Sequence, residues 1–257
     1  MRIATWNVNS LRARLDRVIA WLERQNPDLL CMQETKVHDE AFPRAALEEK
    51  GWRVEIFGQR TYNGVALVSR EPVTDLSRGF DGCPADTGCR VIGARFGDFR
   101  VLDVYVPNGQ AVGAPKYEMK LGWLDALTAW VRQTWDLSGP AMICGDFNIT
   151  PDDRDVFDSE RHRGKILCSE PERERFRTLV SLGFVDALRM FTDAPKVYTF
   201  WDYGIFYSRN LGYRLDHFLL TKPLAARCTA ITIDREAREG DRPSDHAPVI
   251  ADLRDGP

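Results

Sequence analysis

The chain has 257 residues, of which 44% are hydrophobic and 28% are charged, a balance typical of a soluble globular protein. This length supports a sizeable core without disulfides or metals, so we expect a single domain over residues 1–257. The formal net charge is −3, which excludes attraction of a polyanion by the overall field. Any polyanion must therefore bind a local basic face.

The cysteines and the N-terminal segment indicate the compartment. Six cysteines occur without a Cys-x-x-Cys pair, and the four histidines are scattered, so no structural zinc site is predicted. Cys31 and Cys144 lie in apolar runs and are interpreted as buried. Cys83 and Cys89 share a loop, but a bridge between them is not expected. The N-terminus shows no export signal, and no run approaches the roughly 20 apolar residues of a membrane span. We expect a reducing cytoplasm.

The first elements are a strand over Arg2–Asn7 and an amphipathic helix that Ser10 can cap. Apolar residues recur at helical spacing in that helix: Leu11, Leu15, Val18, Ile19 and Leu22. A short buried strand follows over Leu29–Gln33.

Eight further strands and two helices are predicted along the rest of the chain. The strands are Val54–Phe57, Val65–Ser69, Val91–Phe96, Val101–Val106, Ala141–Cys144, Leu215–Leu220, Thr229–Ile233 and Val249–Leu253. The helices are Leu121–Trp135 and Pro171–Leu182. Helices alternate with strands in the first half, and a hairpin forms around Gly97 and Asp98. The pattern predicts mixed sheets flanked by helices.

Polar residues stand just past the ends of apolar strands, where the sheet fixes the backbone and the side chain leaves the core. They are Asn7, Glu34, Tyr105, Asp146, Asn148, Asp245 and His246. Asp216 instead lies inside a strand, where a carboxylate is costly without a partner. Each has an ordinary structural interpretation when taken alone, and only their joint occurrence points to a site.

The oxygen-bearing members of this set suit the hydrolysis of a phosphodiester. Glu34, with Asn7, can hold Mg²⁺, which prefers oxygen ligands. Asp146 can act as the base or orient the water, and Asn148 follows two residues along on the same face.

The remaining members can meet the charge on phosphorus. His246 can donate to the phosphate while a carboxylate such as Asp216 holds its ring. Tyr105 supplies a further donor.

Eight short motifs run in order through the chain. They are Trp6–Arg14, Gln33–Lys36, Asn63–Leu67, Tyr105–Gly109, Gly145–Ile149, Phe200–Tyr203, Arg214–Asp216 and Ser244–Pro248. Together they resemble the motifs of exonuclease III-type apurinic/apyrimidinic endonucleases, from Arg2 to about Leu253. The resemblance implies a four-layered α/β sandwich of the DNase I-like kind, with two mixed β-sheets flanked by helices.

The resemblance also implies roles for individual residues. It implies Mg²⁺, with Mn²⁺ as a substitute, at Glu34 with Asn7 and Asp245 near the ion. It implies a catalytic set of Asp146, Asn148, Tyr105, His246 and Asp216.

Substrate contacts are implied in the same way. A pocket for a flipped-out baseless sugar is expected from Phe200, Trp201 and Leu215, because such a sugar is compact and already unstacked. Separately, basic residues beside the motifs are expected to contact the DNA backbone without sequence preference: Arg12, Arg14, Lys36, Arg90, Lys116 and Arg214.

Three features depart from the family pattern. Asn9 stands where some relatives carry Asp, which weakens the case for a second metal ion. Tyr213 stands where some carry Trp, so the wall of the pocket differs. The densely charged segment 152–163 leaves the balance of incision and exonuclease action open.

The implied function is a Mg²⁺-dependent DNA-repair phosphodiesterase. It incises duplex DNA 5′ to abasic sites and acts as a 3′–5′ exonuclease and 3′-end repair diesterase. Its expected partner is double-stranded DNA with abasic sites or blocked 3′ ends, and we expect a monomer that does not bind membranes. Two alternatives stay open: a phosphoesterase of the same fold acting on inositol phosphates or sphingomyelin, and an inactive DNA-binding relative.

Overall fold

Two six-stranded sheets form the centre of the protein, in a computed structural model that describes residues 1–84 and 87–256. The first sheet has the order β11-β12-β1-β2-β4-β3 and the second β5-β6-β7-β8-β10-β9. The strands are β1 (Arg2–Asn7), β2 (Leu29–Gln33), β3 (Arg53–Phe57), β4 (Val65–Ser69), β5 (Thr74–Arg78), β6 (Val91–Phe96), β7 (Phe99–Tyr105), β8 (Ala141–Asp146), β9 (Phe184–Asp186), β10 (Asp216–Thr221), β11 (Cys228–Ile233) and β12 (Val249–Leu253).

Helices connect the strands, and the longer ones cover the outer faces of the sheets. They are α1 (Leu11–Gln25), α2 (Arg44–Glu48), α3 (Pro115–Thr134), α4 (Ser159–His162), α5 (Glu170–Ser181), α6 (Ile205–Ser208) and α7 (Lys222–Ala225). Short 3₁₀ turns lie at Asp39–Ala41, Asp153–Asp155, Leu188–Met190 and Arg235–Arg238. Among the described residues, no helix combines the length and the apolar character needed to cross a bilayer.

Three apolar clusters separate the layers. One lies between the sheets and joins residues such as Ile3 and Leu29 to Val101 and Met142. A second packs α1 against the first sheet, and a third packs α3 and α5 against the second. The order helix, sheet, sheet, helix confirms the four-layered sandwich.

The sheet registers bring polar strand ends to one edge. β1 and β2 are parallel, with Asn7 opposite Gln33, and β7 and β8 are parallel, with Tyr105 opposite Asp146. β10 runs antiparallel to β8 and places Asp216 opposite Asp146. Because parallel strands end on the same side, the residues that follow them share one rim.

Most predicted strands are confirmed to within two residues, and the differences have local causes. The capping role of Ser10 is wrong, because its φ is 86° and its side chain makes no capping hydrogen bond. β5 is exposed along much of its length, so it lacks an apolar alternation that would reveal it. Cys31 and Cys144 are buried as predicted, and Cys83 and Cys89 are free thiols.

Candidate active site

Unusual backbone conformations mark the rim where the strands end. Left-handed φ angles occur at Asn9 (42°), Glu34 (52°), Lys36 (52°) and Asn148 (50°). Non-glycine residues seldom adopt this region, and it costs about 1–3 kcal/mol where it occurs. Such strain persists only where the surrounding structure imposes it.

Asn7 is the amide that joins the two halves of the site. It is fully buried, and its Nδ2 donates to Glu34 Oε1 at 2.8 Å and to Asp146 Oδ2 at 2.9 Å. Its backbone carbonyl accepts from Ser244 Oγ at 2.6 Å. One side chain of the first sheet therefore fixes a carboxylate of each sheet.

Asp146 lies at the centre of the site and is only 1% exposed. Its Oδ1 accepts from the Asn148 backbone N–H at 2.9 Å, and its Oδ2 accepts from Asn148 Nδ2 at 3.2 Å. Burial raises the pKa of Asp146 to about 7, with the positive charge of His246 opposing this rise. A carboxyl group that titrates near neutrality suits general base catalysis.

His246 and Asp216 form a buried ion pair beside this carboxylate. His246 Nδ1 donates to Asp216 Oδ2 at 2.8 Å, while Nε2 lies 3.8 Å from Asp146 Oδ2. Burial lowers the pKa of His246, but Asp216 and Asp146 outweigh it and raise the pKa to about 10. The ring is thus an imidazolium with one N–H left to donate. The ring of Phe200 packs edge-on against it, with centroids 4.9 Å apart.

Glu34 is the more accessible carboxylate of the site, with 18% of its side chain exposed. Burial raises the pKa of Glu34, but Lys36 and Asn7 bring it below its ordinary value, so the group is ionised. Lys36 Nζ lies 2.8 Å from Glu34 Oε2 and donates to Asn9 Oδ1 at 2.6 Å. A cation therefore already contacts this carboxylate.

Tyr105 carries a hydroxyl that stays protonated. Burial raises its pKa well above the usual range, and the charges of Glu34 and Asp146 raise it further. The Arg90 guanidinium lies 4.6 Å from the centre of the Tyr105 ring and donates from Nη1 to the Tyr105 carbonyl at 3.2 Å. The phenol is held as a neutral donor.

Oxygen donors at this rim suit a hard divalent cation. Asp146, Asp216 and His246 offer ligand atoms within 4.8 Å of one another. A protonated His246 has no free lone pair, however, so we interpret these three residues as an acid–base group. Glu34 and Asp245 are better placed to hold a cation, because both are partly exposed carboxylates, the first beside the Asn7 amide and the second beside the Asn9 amide. No sulfur ligand lies among these groups, which fits Mg²⁺ chemistry.

A model of the endonuclease/exonuclease/phosphatase family matches residues 4–246, which is most of the chain. The chain belongs to the endonuclease/exonuclease/phosphatase family. Relatives within this family include exodeoxyribonuclease III of Haemophilus influenzae, 33% identical over 99% of this chain and 100% of that protein. The DNA repair nuclease APEX1 of Danio rerio is 31% identical over 97% of this chain and 81% of its own length. The resemblance inferred from the eight motifs is confirmed.

Solved structures of the family agree over the whole fold. The 3′ phosphatase NExo from Neisseria, solved with a product DNA hairpin, is 43% identical with a TM-score of 0.96, covering 99% of both chains. An AP endonuclease from Archaeoglobus fulgidus is 40% identical with a TM-score of 0.95, covering 98% of this chain and 99% of that one.

The structure brings together most of the residues predicted for the site, although their roles in this family member stay predictions. Contacts within one network join Asn7, Glu34, Asp146, Asn148, Asp216 and His246. Asp245 lies at its border, where Oδ1 accepts from Asn9 Nδ2 at 3.0 Å. Asn108 was missed as a site residue, yet its Nδ2 donates to Asn148 Oδ1 at 3.1 Å. It falls inside the fourth motif, so the sequence contained a signal for it.

Arg214 does not belong to a DNA-binding face, and its assignment there was wrong. Its side chain is 1% exposed and makes paired hydrogen bonds to Asp155 and to Asp186, at distances between 2.6 and 3.1 Å. A guanidinium held by two carboxylates inside the protein has no donor left for a phosphate.

The predicted sugar pocket also needs correction. Trp201 is 0% exposed, and its indole N–H donates to Asn210 Oδ1 at 3.1 Å, so it cannot line an open pocket. Leu215 is 2% exposed and its role stays a prediction. Half-buried Tyr213 contacts Phe200, with ring centroids 6.0 Å apart. The aromatic surface beside the imidazolium therefore comes from Phe200 and Tyr213.

The other basic residues have varied surroundings. Arg12 and Lys36 line a cleft of about 650 Å³ together with Arg60. Arg14 donates to the Asn9 carbonyl and, at 2.9 Å, to the Tyr203 hydroxyl. Arg12 and Lys36 therefore form a local basic face next to Glu34, of the kind that a chain with a net charge of −3 needs in order to bind a polyanion.

The last two predicted DNA contacts differ from each other. Lys116 is exposed on the first turn of α3. Arg90 is half-buried, with its Nε donating to the Thr87 carbonyl at 2.6 Å. Arg90 therefore lies against Tyr105, and its contact with DNA stays a prediction.

Proposed function

We propose that this chain is a DNA-repair nuclease of the exonuclease III type that hydrolyses phosphodiester bonds with a divalent cation. The observation that carries the proposal is the convergence of Glu34 and Asp146 on the amide of Asn7, with His246 beside Asp146. Full-length relatives with exodeoxyribonuclease and AP endonuclease names support the same activity. The Neisseria relative solved with a DNA hairpin favours DNA over inositol phosphates or sphingomyelin as the substrate.

The finer proposal concerns the substrate and the metal. We infer that the substrate is duplex DNA, cut 5′ to abasic sites and trimmed at blocked 3′ ends, and that the metal is Mg²⁺. Glu34, with Asn7 and Asp245, would hold the ion, which would supply a Lewis acid for a non-bridging phosphate oxygen. We also expect a monomer acting in the cytoplasm.

The side chains divide the chemistry among them. Asp146 orients a water molecule and accepts its proton, since its pKa lies near neutrality. The free Nε2–H of His246 donates to the phosphate, where negative charge builds as the water attacks. The Tyr105 hydroxyl donates to the same group of oxygens, while the Asn148 amide donates to Asp146 and holds that carboxylate in place. All four are buried by at least nine-tenths of their surface, so their hydrogen bonds act in a low dielectric.

A labelled duplex with one abasic analogue tests the proposal. With Mg²⁺ we expect cleavage 5′ to the lesion, no cleavage in EDTA, and a loss of at least about 10³-fold in Asp146→Asn. Asp136→Asn, which removes an exposed carboxylate, is the matched control and should keep wild-type turnover. Wild-type protein that leaves abasic, nicked and 3′-phosphate duplexes intact would overturn the assignment. Parallel incubation with inositol phosphates and sphingomyelin measures the alternative substrate class.

A further inference from the structure

Lys120 on α3 and Glu172 on α5 form an ion pair inside the protein. Both side chains are 0% exposed, and Lys120 Nζ donates to Glu172 Oε1. The other Glu172 oxygen accepts from the Ser169 backbone N–H at 3.1 Å and from its hydroxyl at 2.6 Å. Burying both charges is expensive, and well-packed apolar residues often replace such pairs without loss of stability. Stability alone therefore does not explain why both charges are buried here.

The two remaining hydrogen bonds of Lys120 lead to the candidate active site. Its ammonium donates to the carbonyl of Asn148 at 2.7 Å and to the carbonyl of Asn108 at 3.2 Å. These carbonyls lie in the segments that follow β8 and β7. Gly109 leaves room for the lysine stem, because a Cβ there would lie 3.1 Å from Lys120 Cδ. All three ammonium N–H groups are therefore used.

The same two asparagines also contact each other. Asn108 Nδ2 donates to Asn148 Oδ1 at 3.1 Å, and Asn148 Nδ2 donates to the Val106 carbonyl at 3.1 Å. Asn148 has a φ of 50°, so its backbone needs support to stay in that conformation. Lys120 holds the backbone carbonyl of the strained residue, and Asn108 holds its side chain.

We propose that Lys120 and Glu172 form a buried clamp that sets the position of the Asn148 carboxamide, and that both act as positioning residues for the phosphate site. The proposal rests on the proposed function only for the role of Asn148 in catalysis. Lys120 does not reach the substrate; it acts through the two carbonyls that it binds.

The double variant Lys120→Met/Glu172→Gln tests the clamp, since it removes both charges and keeps an acceptor for Ser169. On the abasic duplex we expect kcat to fall about 10- to 100-fold while KM changes less than about threefold, because Asn148 holds the Asp146 carboxylate that acts in the chemical step. Asp125→Asn is the matched control, because it breaks the exposed α3–α5 pair with Arg175 (2.9 Å) and should keep wild-type kcat. If the double variant does not fold, Lys120→Gln, which removes the charge but retains an N–H donor group, takes its place.

A mutant cycle separates positioning from general destabilisation. In an Asn148→Ala background the clamp replacement should lower kcat by less than about threefold, because the group that it positions is already gone. Two results would overturn the proposal. One is a kcat loss in the combined variant equal to the product of the losses in Asn148→Ala and in the clamp variant, and the other is wild-type kcat in a folded clamp variant.

A measurement that does not depend on nuclease activity tests the clamp even if the nuclease assignment fails. The Asn148 side-chain amide resonances, assigned by their absence in Asn148→Asp, should shift in the clamp variant and not in Asp125→Asn. Unchanged resonances would refute the clamp, whereas an inactive wild type with shifted resonances would refute only the function.

Discussion

Replacing Arg214 distinguishes a DNA contact from a structural ion pair. In Arg214→Met, buried Asp155 and nearly buried Asp186 lose their guanidinium partner. Removing one partner of a buried pair costs about 3–5 kcal/mol. Arg189 also donates to Asp155, which keeps one partner, so we expect the lower end of this range. For a chain of this size, about 3 kcal/mol corresponds to a fall of roughly 6–12 °C in Tm.

Two measurements on Arg214→Met distinguish a structural ion pair from a DNA contact. Thermal or urea unfolding gives the stability, and fluorescence anisotropy of a labelled duplex at several salt concentrations gives the DNA affinity. We expect the slope of log K against log salt to match that of the wild type. Exposed Arg12 provides the contrast: in Arg12→Met, Tm should stay unchanged while the slope falls by about 1. An Arg214→Met protein with wild-type Tm and a slope reduced by about 1 would refute the structural assignment.

Three further substitutions have expected outcomes. In Asp216→Asn the pKa of His246 should fall from about 10. The decline of kcat/KM on the alkaline side of the pH profile should therefore begin at a lower pH than in the wild type, and turnover should drop about 10²-fold. His217 is buried with its pKa lowered from 6.5 to about 4, so its contribution is complete above pH 6.5. About 3 kcal/mol should be lost as pH falls towards 4, a loss that urea titrations should find reduced in His217→Gln. Gly145→Ala places a Cβ 2.0 Å from the Val104 carbonyl oxygen at a φ of 135°, and its urea midpoint should show a cost of at least about 2 kcal/mol.

The sequence predicts the sheets well because their central strands are apolar throughout. β1, β2 and β4 are buried along nearly all their lengths, and each has a polar residue as its last residue. The edge strand β5 and the three-residue β9 carry no comparable signal. Edge strands contact solvent, so their residues are chosen for reasons other than burial.

The contents of the candidate site follow from the motifs, but the surroundings of charged residues do not. Arg214 lies within a motif and is basic, so it resembles a phosphate ligand in sequence. Its true partners, Asp155 and Asp186, lie 59 and 28 residues away and meet it only after folding. In the sequence, Lys120 and Glu172 likewise resemble surface residues of two helices. They lie 52 positions apart and meet only when the chain folds. Long-range pairing of charges is information that local patterns lack.

The position of β12 affects the order in which a ribosome can deliver an active enzyme. β12 fills the place between β1 and β11, with Ala4 opposite Ile250 and Ile231 opposite Ala251. Until this late segment leaves the exit tunnel, one edge of β1 has no hydrogen-bonding neighbour and is open to pairing with another chain. Asp245 and His246 precede β12 directly, so the two residues proposed to hold the ion and to donate to the phosphate join the rim only after the residues before them have been synthesised.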